Sequence, residues 1–164
     1  MTTAYIGLGA NLGNPVEQVH SALRALDALP FTRLRRHSSM YRSPPWGDSA
    51  QPEYVNAVAE IATDLAPDAL LAQLHELEDA AGRVRSERRY APRTLDLDLL
   101  VYGSARIRTA ALCVPHPRLS ERAFVLLPLQ EIAEALSIPG LGPVSDLIAA
   151  CGENQVTRLE LGTL

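Results

Sequence analysis

The run Thr94-Leu95-Asp96-Leu97-Asp98-Leu99-Leu100-Val101-Tyr102 is the clearest strand in the chain, and the rest is read outward from it. Successive residues of a strand face opposite sides. Leu95, Leu97 and Leu99 therefore point into a core. Asp96 and Asp98 project together from the other face, with Cα atoms roughly 7 Å apart. Aspartate is a poor strand former, and two like charges side by side repel. A cation beside them resolves the repulsion, and hard oxygen ligands favour magnesium. A solvent-exposed pair balanced by Arg93 is the plainer alternative.

Immediately before this strand, residues 83–93 carry Arg83, Arg85, Arg88, Arg89 and Arg93 against the single acid Glu87. Cations beside carboxylates suit a polyphosphate: guanidinium groups hold the oxygens, and metal on the aspartates neutralises developing charge. A solvated face or an RNA-binding patch is the competing reading. RNA readers of this topology need aromatic side chains on the sheet, and only Tyr5, Tyr54 and Tyr102 fall on expected strands. All 15 basic residues are arginine, and the chain has no lysine. That excludes a Walker-type phosphate loop and Schiff-base chemistry.

Residues 3–9 read as a first strand. Asn14 and Pro15 open a helix as N-cap and first helical residue, with Val16, Val19, Leu23, Leu26 and Leu29 as its buried stripe. A second strand is expected within 31–42, and residues 43–53, with three prolines and a glycine, form a loop. Residues 54–63 have strand character. Pro67-Asp68 starts a helix carrying Leu70, Leu71, Leu74 and Leu77, which ends near Gly82. Short extended pieces are expected around Ile107 and Val114, then a helix from Phe124 to Leu136 and a terminal helix over 144–150. The order β-α-β-β-α-β implies an α+β, ferredoxin-like fold: a central antiparallel sheet with the helices of the first hundred residues on one face. No linker divides the chain, so 1–164 is expected to be one domain.

Length and composition agree. A chain of 164 residues with 47% hydrophobic and 21% charged residues can bury a core of its own. No apolar run approaches the roughly 18 residues of a membrane span, and the N-terminus lacks a charged leader segment. A cytoplasmic protein without membrane contact is expected. The net charge of −4 argues against nucleic acid as partner. Cys113 and Cys151 have no metal-type spacing and read as reduced thiols.

Three further features are ambiguous. Gly7-Leu8-Gly9-Ala10-Asn11-Leu12-Gly13 lacks dinucleotide-binding spacing, so its glycines are read as backbone freedom at a strand-to-helix turn. Trp46, in a proline-stiffened loop, and Asn56, whose amide both donates and accepts, would suit a planar polar ring; packing and turn chemistry are the plainer explanation. His116, between two prolines, either donates to a phosphate or is an exposed turn residue. His20, His37 and His75 have no zinc-ligand spacing.

The stretch Arg89-Tyr90-Ala91-Pro92-Arg93-Thr94-Leu95-Asp96-Leu97-Asp98-Leu99-Leu100 resembles the signature of the 6-hydroxymethyl-7,8-dihydropterin pyrophosphokinase family. The likeness continues through AYIGLGANLGNP, YRSPPWG, QPEYVNAV, GRVR and VPHPRLSERAFVLLPL, covering about residues 4 to 136. It implies a monomeric enzyme that transfers diphosphate from ATP to the hydroxymethyl group of a reduced pterin and releases AMP. It further implies two Mg2+ ions on Asp96 and Asp98, with Arg83 and Arg93 gripping the triphosphate. The pterin would meet Ser43, Pro44, Trp46, Tyr54, Asn56 and Asp96, its ring between Tyr90 and Phe124. ATP would meet His75, Glu78, Arg83, Arg85, Arg93, Leu99, His116 and Arg122. The chain departs from the family at Tyr90, where tryptophan is frequent, at Pro117, where tyrosine is common, and at Ala111 and Cys113, which replace polar types.

Overall fold

The computed structural model describes residues 1–44, 52–82, 95–152 and 154–160. The elements run β1 (Thr2–Ala10), α1 (Pro15–Asp27), β2 (Thr32–His37), β3 (Tyr41–Ser43), β4 (Tyr54–Thr63), α2 (Pro67–Ala80) and β5 (Asp96–Tyr102). Two-residue strands β6 (Ile107–Arg108) and β7 (Cys113–Val114) follow. Then come α3 (Ala123–Ile132), β8 (Ser137–Ile138), β9 (Gly142–Pro143), α4 (Val144–Cys151) and β10 (Thr157–Arg158). The principal sheet is antiparallel in the order β10-β3-β4-β1-β5, with β2 also on β4. β2 and β3 lie end to end along one edge of β4. They are the single strand expected at 31–42, interrupted at Ser38, whose Oγ accepts the Val58 N–H at 2.9 Å. The expected ferredoxin-like α+β arrangement is what the chain adopts.

Alternation divides the sheet into two faces. Ala4, Ile6, Leu8 and Ala10 of β1 join Val55, Ala57, Ala59 and Ile61 of β4 and Leu97 and Leu99 of β5 on the first face. Val19, Leu23 and Leu26 of α1 and Leu70 and Leu74 of α2 close over it. The Asn14 side chain caps α1 by accepting the Glu17 N–H at 3.2 Å, and Pro15 takes the first turn, where its missing N–H costs nothing. The second face holds Tyr5, Val58, Leu100 and Val101 under Val125, Leu126, Leu129 and Ile132 of α3. The β1–β5 register shifts between Tyr5 and Ile6, which lets Leu100 and Val101 both serve this second core.

Several expectations need correction. Gly7 and Gly9 lie within β1, and of the three glycines only Gly13 takes a left-handed backbone, at φ 62. Phe31 precedes the strand at φ 53 and is 72% exposed. α3 stops at Ile132, where the Ile132 carbonyl accepts Arg36 Nη1 at 3.0 Å and the chain turns toward β8. α4 is not the last element: β10 follows and pairs antiparallel with β3. No helix among the described residues is long and apolar enough to cross a membrane.

A polar pair sits inside the second face. Tyr5 donates to Glu60 Oε1 at 2.8 Å, and Arg36 Nε lies 3.4 Å from Glu60 Oε2. Burial, reinforced by the bond to Glu60, pushes the Tyr5 phenol up to about 12. The unfolded phenol ionises near 10. Between those values the native state binds more protons, so this stability is intact below pH ~10 and is lost as pH rises through about 12. Urea unfolding across that window should show a shallower loss of stability in Tyr5→Phe than in the wild type. Leu126 is fully buried in the second core. Leu126→Ala should cost ~2–5 kcal/mol in the same measurement, with the denaturant slope unchanged.

Candidate active site

Cross-strand register arranges the second face in rows. Tyr41, Asn56, Gly9 and Asp96 form one row across β3, β4, β1 and β5, with Val58, Gly7 and Asp98 in the next. Ser43 pairs with Tyr54 beside them. The glycines strip side chains from the middle of this surface. A Cβ on Gly9 would lie 3.2 Å from Asn56 Oδ1, and one on Gly7 would touch the Leu100 side chain at 3.4 Å. Asn56, nearly fully buried, donates from Nδ2 to Ser43 Oγ at 2.7 Å, so its amide oxygen turns over Gly9. The face thus runs from the apolar core under α3 to a flat polar floor edged by Asp96 and Asp98.

The start of α3 overhangs that floor. The Arg122 guanidinium is 3.7 Å from Asp98 Oδ2 and 5.5 Å from the centroid of the Phe124 ring. This draws Phe124 toward the carboxylate end of the face. At 42% and 22% side-chain exposure, Asp98 and Arg122 still meet water, so the ion pair is screened. His116 donates its backbone N–H to Leu100 O at 2.9 Å, and its Nδ1 accepts the Arg118 N–H at 3.2 Å. Burial pulls its pKa below the usual value, and Arg122 and Arg118 act in the same direction against Asp98. Because Nδ1 accepts the Arg118 N–H, the neutral ring carries its proton on Nε2, as a donor.

A cavity of about 300 Å³ opens along the outer edge of β5. Leu71, His75 and Glu78 of α2 form one wall, and Ala111, Leu112, Cys113, His116 and Pro117 form the other. Asp96, Leu97, Asp98 and Leu99 are its base. Glu78, 3% exposed, accepts the Leu97 N–H at 2.9 Å. That amide lies between the two aspartates, so a buried carboxylate from α2 fastens the strand segment that carries them.

Of the residues expected at a site, Ser43, Tyr54, Asn56, Asp96 and Asp98 share the second face, and Pro44 is exposed next to Ser43. His75, Glu78, Leu99 and His116 line the edge cavity, together with the departures Ala111, Cys113 and Pro117. Arg122 and Phe124 join the face through Asp98. His20 and His37 do not line the cavity. Trp46, Arg83, Arg85, Tyr90 and Arg93 lie outside the described residues. Sequence reading missed the floor glycines and the cavity residues Leu71 and Leu112. Two glycines at i and i+2 inside an apolar strand were the available signal, since that spacing bares one face. Among the described residues no three His, Cys, Asp or Glu side chains cluster as a metal site. Two carboxylates on one face fit magnesium, which takes its remaining ligands from water and phosphate.

A family model described as 7,8-dihydro-6-hydroxymethylpterin-pyrophosphokinase (HPPK) matches residues 5–134. The chain belongs to this family. It is therefore a pyrophosphokinase, an enzyme of folate biosynthesis. The 2-amino-4-hydroxy-6-hydroxymethyldihydropteridine pyrophosphokinase of Haemophilus influenzae is 46% identical over 159 residues, covering 97% of this chain and 99% of that one. The enzyme of the same name from Methylorubrum extorquens is 42% identical over 160 residues, covering 98% and 100%. Among solved structures, an HPPK-DHPS in complex with substrates matches with TM-score 0.71 at 11% identity. It covers 91% of this chain, and this chain spans 43% of that one, so the likeness speaks for the fold alone.

The glycine floor of this pyrophosphokinase is testable by filling it. Gly9→Val suits a strand but places carbon against the Asn56 amide. Binding of a hydroxymethyldihydropterin, followed by tryptophan fluorescence, should weaken by about tenfold or more, from an overpacking cost of ~1–3 kcal/mol. Far-UV circular dichroism should be unchanged.

Proposed function

We propose that the chain transfers diphosphate from ATP to the hydroxymethyl group of 6-hydroxymethyl-7,8-dihydropterin and releases AMP. The observation that carries this reading is the place of Asp96 and Asp98. They stand on an edge strand where the glycine floor meets the cavity along β5, so one pair of carboxylates faces two adjoining binding spaces. The pterin lies on the floor against Ser43, Tyr54 and Asn56, with Phe124 over one side of its ring and Tyr90 over the other. Pro44 and Trp46 are further pterin contacts in this reading. The bond from Asn56 Nδ2 to Ser43 Oγ fixes the amide, which can both donate and accept toward a heterocycle edge. ATP fills the edge cavity against His75, Glu78 and Leu99, and His116 donates from Nε2 to a phosphate oxygen. Arg83, Arg85, Arg93 and Arg122 hold the triphosphate.

Asp96 and Asp98 would hold two Mg2+ ions, which when bound screen the phosphate oxygens and acidify the hydroxyl. The hydroxymethyl oxygen bonds to the β-phosphorus as the bond from that phosphorus to the oxygen bridging the α- and β-phosphates breaks. AMP departs with the bridging oxygen, and the hydroxyl proton passes to solvent. The protein supplies position and charge more than covalent chemistry. Residues 1–164 act as one domain, as a monomer in the cytoplasm.

Chromatography of the nucleotide product decides the reaction: AMP must accumulate in step with pterin diphosphate, and ADP in its place would reject diphosphate transfer. Asp98→Ala should lower turnover by on the order of 10²–10³ or more with pterin binding retained. A near-normal rate in magnesium would remove the metal assignment. Arg93→Ala should lose rate heavily with little change in pterin affinity, measured by steady-state kinetics beside a binding titration.

A further inference from the structure

We infer that Glu131, through Tyr41 and Ser39, is a positioning residue for the transfer: it sets how α3 lies over the sheet, and so the gap between Phe124 and the Asn56–Gly9 floor. This rests on the proposed placement of the pterin in that gap. Tyr41 is the direct cross-strand partner of Asn56, in the same row as Gly9 and Asp96. Its hydroxyl donates to Glu131 Oε1 at 2.5 Å. Glu131 Oε2 accepts the Ser39 N–H at 2.8 Å and the Ser39 hydroxyl at 3.1 Å. Both oxygens of one carboxylate are thereby committed to the segment that ends at Ser43.

Glu131 lies seven residues, two helical turns, beyond Phe124 on α3, so the two share one side of the helix. At the other end Arg122 binds Asp98 on β5. The helix is tied by polar contacts at both ends, to opposite margins of the sheet, and Phe124 hangs between the ties. Attachment itself does not need the Glu131 tie, because Leu126, Leu129 and Ile132 already seat α3 in the second core. Apolar burial is non-directional. Charge-assisted hydrogen bonds fix direction, so what this carboxylate adds is orientation. Burial pushes the Glu131 carboxyl up, but the bonds from Tyr41 and Ser39, with Arg158 nearby, outweigh it and keep the group below its usual range. Arg158 belongs to β10, whose following residue Leu159 donates its N–H to Met40 O at 2.8 Å, closing the outer side of the same segment.

The test compares wild type, Glu131→Ala, Glu131→Gln and Tyr41→Phe. Steady-state kinetics are read with binding titrations of the pterin and of a non-hydrolysable ATP analogue, and with thermal melting. Expected is a rise of about tenfold in pterin KM and Kd for Glu131→Ala, with ATP KM and analogue Kd within about twofold. Glu131→Gln, which keeps an acceptor for Tyr41, should recover most of the loss, and Tyr41→Phe should fall between. Glu131→Ala lies at the surface and opens no core cavity; should it nonetheless fail to fold, the Glu131→Gln and Tyr41→Phe results decide alone. Lowered melting with unchanged pterin constants, or an equal loss for both substrates, overturns the inference while leaving the proposed function intact. A wild type that makes no AMP from ATP and the pterin overturns the proposed function and this inference with it.

Discussion

The period-two alternation of β1 and β4 is the constraint on which the molecule rests. These two strands pair over nine consecutive positions, from Thr2 with Thr63 to Ala10 with Val55. One face is apolar from Ala4 to Ala10 and from Val55 to Ile61 and is covered by α1 and α2. The other changes character along its length: Tyr5 and Val58 are core residues under α3, and Gly7, Gly9 and Asn56 make the side-chain-poor floor that continues from them. A slip of one residue would exchange the faces, placing Asn56 under α1 and apolar residues such as Leu8 and Val55 at the site. Core and site are therefore specified by the same register.

The second face also explains how so small a sheet serves two ligand spaces. β5 stands at the end of the principal sheet, so its carboxylates are reachable from the face and from the side. α2 guards that margin by spending Glu78 on the Leu97 amide. The Leu97 amide that this buried carboxylate accepts lies between Asp96 and Asp98, so α2 fixes the strand at the point where it carries the pair. Among the described residues, Asn56, Asp96 and Asp98 stand on strands of the principal sheet, and regular elements hold positions more closely than loops do.

Most of this was legible in the sequence, where periodicity and capping speak plainly. Asn14-Pro15, the leucine stripe of α2 and the alternation around Asp96 and Asp98 gave elements, boundaries and the carboxylate pair. Features set by distant partners were not legible. β10 is two residues long and is a strand only because β3 offers it an edge. α3 ends at Ile132, whose freed carbonyl is taken by Arg36, 96 positions earlier. Gly7 and Gly9 looked like turn residues because glycine usually marks a turn; only the register against Asn56 and Asp96 shows them as a floor. Family likeness supplied the identity of the ring, which no spacing argument reaches.

The ladder of the sheet also has a bearing on solvent exchange. The β1–β4 amides are locked in the longest continuous run of pairs, beneath two apolar layers. β10 is held by two pairs at an outer edge. In deuterated water the central strands are the last part of the sheet to take up label and the tail strand is the first. The segment bearing Tyr41 and Ser43 thus joins the most extensively paired strand of the principal sheet to one held by two pairs. Opening at β10 would reach Tyr41 and Arg42 directly, through its two pairs with β3.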